Sequence, residues 1–77
     1  MSTISYRLAE VRRRSGYSIR AFADALKERT GLHVAHDSVR RYETGETRVP
    51  GPYLGEVCRA FDVSAEWLLL GKGVPVP

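Results

Sequence analysis

Two sets of side chains in this 77-residue chain could do chemistry. The first is His33, His36, Asp37 and Cys58, the only set that resembles a catalytic or metal-binding group. His33 and His36 lie three apart but straddle a turn, and the chain has no Cys-x-x-Cys or His-Glu-x-x-His pattern. It also has no glycine-rich phosphate loop, no Gly-x-Ser-x-Gly and no carboxylate pair in an apolar setting. A chain this small has little room for a ligand pocket beside a core. The chain is therefore read as non-enzymatic, with no catalytic residues, no metal ligands and no cofactor. The second set is basic. Arg12, Arg13 and Arg14 form one cluster, and Arg40, Arg41 and Arg48 form another. A sided basic patch is the electrostatic footprint of phosphate binding. Arg12 to Arg14 would equally suit a helix C-terminus, where cations meet the negative end of the dipole.

The stretch that must position the second cluster runs from Gly31 to Pro50. It reads as a turn over Leu32 to Ala35, a helix over His36 to Thr44, a glycine stop at Gly45, and a loop. Val39 and Tyr42 lie three apart and share the inner face. His36, Asp37, Arg40 and Arg41 form a hydrogen-bonding outer face. A short helix of that kind fits a DNA major groove.

The remaining chain supplies further helices. Ser2, Thr3 or Ser5 can cap the first, whose inner stripe is Ile4, Leu8 and Val11 and whose stop is Gly16. Ser18 caps the second, with Tyr17 and Phe22 as a hydrophobic staple. Ile19, Phe22, Ala23 and Leu26 follow at helical spacing, and Gly31 ends that helix. Pro52 starts a fourth helix, carrying Tyr53, Leu54, Val57, Cys58 and Phe61. Ser64 caps a last one, Ala65 to Leu70, before Gly71. No segment alternates as a strand does. The expected fold is all-α, a bundle of about five short helices, with residues 1–73 as one domain and 74–77 as a flexible tail.

Bulk properties agree. Hydrophobic content is 43% and charged content 27%, ordinary for a globular domain. The net charge of +3 permits a polyanionic partner without demanding one. The lone Cys58 lies among apolar residues, excludes an internal disulfide framework and fits a reducing cytoplasm. No apolar run reaches membrane-spanning length, and the start lacks signal-peptide organisation. A cytoplasmic location, with no membrane partner, is expected.

From Leu8 to Leu70 the chain resembles the Cro and phage-repressor (Xre-like) helix-turn-helix domains. The resemblance rests on Leu8, Val11 and Arg12, on Gly16-Tyr17-Ser18 and on Phe22-Ala23. It continues through Val34, Ser38-Val39-Arg40-Arg41-Tyr42-Glu43-Thr44-Gly45, Pro50, and Phe61-Asp62-Val63-Ser64-Ala65-Glu66-Trp67-Leu68-Leu69. It implies a lambda-repressor-like fold in which helices two and three form the helix-turn-helix and helix three is the recognition helix. It implies a structural pair between Arg12 and Glu43. It also implies double-stranded DNA as partner, a homodimer, and a bacterial or phage transcriptional regulator acting as a repressor.

The family's base-reading positions correspond here to His36, Asp37, Ser38 and Arg41. Arg41 can bind guanine O6 and N7 in bidentate fashion. Asp37 either accepts from a cytosine amine or caps the helix. Phosphate contacts, which fix register without reading sequence, are expected from Ser18, Arg20, Arg40, Thr44, Thr47 and Arg48. Three departures stand out. The segment from Ala23 to Ser38 is about six residues longer than in most relatives. Ala35 replaces a Ser or Thr cap, normally worth about 1 kcal/mol. Ile19 stands where relatives often carry a phosphate-touching glutamine. The rival function is an antitoxin-like or partner-docking module. Trp67, Leu69 and Leu70 would form either that partner surface or the dimer seam, because consecutive leucines cannot all face inward on one short helix.

Overall fold

Start and stop residues divide the chain into five helices among the described residues, 3–75, of the computed structural model. They are α1 (Thr3–Arg14), α2 (Ile19–Thr30), α3 (His36–Thr44), α4 (Gly51–Phe61) and α5 (Ala65–Leu70), with no strand among the described residues. Thr3 and Ser5 lie inside α1 rather than capping it. The Ser2 alternative falls outside the described residues, as do Val76 and Pro77 of the tail. Ser18 caps α2, its hydroxyl oxygen accepting from the Ala21 N–H at 3.1 Å. Ser64 does the same for α5, accepting from the Trp67 N–H at 3.3 Å.

The stops that bracket α3 are glycines for a physical reason. Gly31 (φ 80°) and Gly45 (φ 82°) are left-handed, which any side chain would strain. Each donates its N–H back to the preceding turn, Gly31 to Lys27 O at 2.7 Å and Gly45 to Arg41 O at 3.1 Å. The expected start of α4 at Pro52 shifts by one residue. Pro50 is the extended cap, Gly51 opens the helix, and Pro52 takes the second position, where a missing N–H is still harmless.

One core joins all five helices: Leu8 and Val11 from α1, Phe22, Ala23 and Leu26 from α2, Val39 from α3, Tyr53 and Val57 from α4, Leu68 from α5, with Val63 between. Burying each large apolar side chain contributes about 2 kcal/mol. Helix α3 packs on α1 and α2, α2 also packs on α4, and α5 closes the bundle against α1 and α4. Phe22 stacks on Phe61, centroids 4.6 Å apart, and Tyr17 meets both rings edge-on. Arginines fasten the ends: Arg7 donates to Leu68 O at 3.0 Å. Arg29 donates to Ala60 O at 2.9 Å and Tyr17 Oη at 3.1 Å, with its guanidinium 4.9 Å from the Phe61 ring centroid. After α5 the chain returns, and the Ser64 N–H donates to Pro75 O at 2.7 Å.

Candidate nucleic-acid interface

Helix α3 is held from inside and open outside. Val39 is fully buried. Tyr42 packs against Tyr53, ring centroids 4.7 Å apart. Burial and the nearby Glu43 charge push the Tyr53 phenol well above its ordinary range. Glu43 is nearly buried and accepts both its bonds from Arg12 Nε, at 3.1 and 2.8 Å. Arg12 Nη1 also donates to Tyr17 O at 3.0 Å. One guanidinium thereby ties α1, the far end of α3 and the turn that launches α2. That tie fixes the tilt of α3 against the body.

The helix's amino end is bare. Ala35 is extended (φ −65°, ψ 146°), as a cap residue must be, but provides no side-chain hydrogen bond to the first amides. Asp37 does not replace it, because both its oxygens are turned to arginines. Oδ1 pairs with Arg40 at 3.1 Å and Oδ2 with Arg41 at 2.9 Å. The bare amides of α3 lie on an exposed end, where partial positive charge favours an anion.

The outer face carries the expected polar residues. His36, Asp37, Arg40 and Arg41 are exposed, and Ser38 is half-buried. The structure joins several of them. Arg40 spans Asp37 and Glu46, reaching Glu46 Oε2 at 2.8 Å. The Thr44 hydroxyl donates to the same oxygen at 2.9 Å. The bonds from Asp37 and then Glu46 raise the Arg40 guanidinium above its ordinary range. The Thr44 hydroxyl, then Arg40, hold the Glu46 carboxyl below its own. His36 Nε2 lies 3.6 Å from Asp24 Oδ1 of α2. The i,i+3 and i,i+4 spacing from Asp37 to Arg40 and Arg41 is a sequence signal for the first part of this network. Glu46 and Asp24 carry no such signal, because one lies beyond the Gly45 turn and the other on a different helix.

The phosphate set is more scattered. Ser18 and Arg20 stand exposed at the start of α2. Thr47 and Arg48 line a shallow cleft of about 410 Å³ with Ile4, Ser5 and Leu54. Among the described residues no side-chain hydrogen bond or ion pair joins Arg20 or Arg48 to another side chain, so both are open to an anion.

On α5, Trp67 is half-buried, whereas Leu69 is 45% and Leu70 64% exposed. Leu69 edges an apolar groove of about 550 Å³ with Leu54, Gly55, Cys58 and Ala65. Burial pushes the Cys58 thiol above its ordinary range. Among the described residues no three His, Cys, Asp or Glu side chains are grouped to hold a metal ion. No helix among them is long and apolar enough to cross a membrane.

Helix α3 is thus tied to the body at its carboxyl end, bare at its amino end and polar on its outer face. A protein-family model described as a helix-turn-helix domain matches residues 4–68, from α1 into α5. No curated protein matches the chain. With the match running over most of its length, the chain belongs to the helix-turn-helix family of DNA-binding domains, in keeping with its Xre-like pattern.

Proposed function

We propose that the protein binds double-stranded DNA sequence-specifically and acts as a repressor-like transcriptional regulator, with α3 lying in the major groove. The observation that carries this is the exposed His36, Asp37, Arg40 and Arg41 face on a helix whose opposite face is locked into the core. In this reading Arg41 reads guanine, and His36, Asp37 and Ser38 complete base recognition. Ser18, Arg20, Arg40, Thr44, Thr47 and Arg48 position the backbone. The bare first turn of α3 is completed by a phosphate. Two copies bind as a homodimer on half-sites about 34 Å apart. The regulator is cytoplasmic and non-enzymatic.

Selection from a randomised duplex pool tests it. The expected result is a two-fold symmetric motif with half-sites one helical turn apart. Arg41→Ala should relax preference at one base position per half-site, at a cost of about 1–3 kcal/mol in discrimination. Arg48→Ala should weaken binding to all sequences alike. Unchanged selectivity in Arg41→Ala would place the reading register elsewhere on α3.

A second reading, a docking module for another protein, is favoured by one observation, the exposed pair Leu69 and Leu70 beside an apolar groove. Such patches mark protein contacts. That surface also suits the dimer seam of the first reading.

A further inference from the structure

Asp37 is an acid on the face that would meet a polyanion, and both its oxygens are occupied by neighbouring arginines. Oδ1 accepts from Arg40 Nε at 3.1 Å and also pairs with Nη2. Oδ2 pairs with Arg41 Nη2 at 2.9 Å. The arginines are unequal. Arg40 spans two carboxylates, Asp37 and Glu46, whereas Arg41 holds only one. All four side chains are between 46% and 55% exposed, so a nucleic acid can compete for either arginine.

We infer that Asp37 is a specificity-determining positioning residue, withholding Arg40 and Arg41 from indiscriminate phosphate pairing while presenting Arg41 to a guanine edge. This rests on the DNA-binding reading of α3. The physical basis is the difference between the two targets. A phosphate that captures Arg41 replaces one anion by another and strips Asp37 Oδ2 of its partner beside a polyanion, leaving the carboxylate only the Arg40 contact that Glu46 also shares. Like charges brought together in that way repel. A guanine edge is uncharged. Arg41 has five N–H donors, and one contact to Asp37 leaves enough for a bidentate bond to O6 and N7. Over guanine, Asp37 keeps both arginine partners; over phosphate it loses Arg41. Selectivity arises from that asymmetry. Arg40 is further restrained by Glu46, so its contribution to backbone contact is smaller than that of Arg20 or Arg48.

The test compares the parent with Asp37→Asn and Asp37→Glu on two duplexes: the one the parent enriches from a randomised pool, and a scrambled duplex of the same composition. Asp37→Asn should bind the scrambled duplex about tenfold more tightly at low salt and lose about tenfold of the enriched-to-scrambled ratio. Its log K against log salt slope on the scrambled duplex should steepen by about 1–2, one phosphate for each released arginine. Asp37→Glu keeps a carboxylate four residues before Arg41 and should retain most of the ratio. Helicity by circular dichroism confirms that each variant is folded. A parent that selects DNA beside an Asp37→Asn variant with unchanged ratio and slope overturns the inference alone. A parent that binds neither duplex overturns the DNA-binding reading and the inference with it.

Discussion

At the scale of single residues, Arg12 ties α3 to α1 and to the turn before α2. Its guanidinium and the Glu43 carboxylate are both largely buried, at 17% and 7% side-chain exposure. Removing one partner of such a pair strands a charge in the protein interior. Arg12→Ala should therefore cost about 3 kcal/mol, read as a lower urea midpoint. Arg12→Met combined with Glu43→Leu should recover much of that loss, since a well-packed apolar pair can replace a buried ion pair. A loss within 0.5 kcal/mol for Arg12→Ala, the size of a surface pair, would show that the contact does not hold α3. The pairing was legible only through the family resemblance, because nothing in local spacing links residues 31 apart. The same separation hid Arg29 on Ala60 and Phe61, and an even longer one hid Arg7 on Leu68.

At the scale of elements, boundaries were legible wherever a residue has a local reason to start or stop a helix. Ser18 and Ser64 accept from the first amides they cap, and Gly31, Gly45 and Gly71 take left-handed backbone. The start of α4 was misplaced by one residue because Pro52 fits either of the first two helical positions equally well. The run from Ala23 to Ser38 resolves into an α2 that continues to Thr30, a Gly31 to Ala35 connection and the first turn of α3. The relation of α3 to its neighbours was not legible, because it depends on side chains meeting across helices. The uncapped start of α3 is open to direct test. Ala35 already has the extended backbone of a cap residue and is exposed, so a hydroxyl can be added without repacking. Ala35→Ser should stabilise the free protein by about 1 kcal/mol, seen as a rise in Tm of about 4–8 °C. If a phosphate completes this turn in the complex, the gain should shrink when DNA is bound. An unchanged Tm in the free protein would mean that water already satisfies those amides.

At the scale of the whole molecule, two surfaces face away from the core with opposite character. One is the polar, arginine-bearing face of α3; the other is the apolar end of α5. A dimer that buries the second would present two copies of the first. Leu70→Lys places a charge in that seam at a position 64% exposed in the single chain. It should shift sedimentation toward monomer and reduce affinity for a two-half-site duplex about tenfold or more through lost avidity, with helicity unchanged. Equal affinity and equal mass would exclude α5 from the seam. The net charge of +3 is too small by itself to explain tight binding to DNA. Any affinity must come from where the charges stand. Among the described residues Arg20 and Arg48 are exposed and make no ion pair, whereas Arg40 and Arg41 are already paired within α3 and its following loop.

The most direct measurement is the salt dependence of binding to a random duplex. With Arg20 and Arg48 as full charged phosphate contacts and Arg40 a weaker one held by Asp37 and Glu46, log K should fall linearly with log salt, with a slope of about −2 to −3 per protomer. Arg48→Ala should flatten that slope by about 1. A parent slope near zero would contradict phosphate-anchored DNA binding through these arginines.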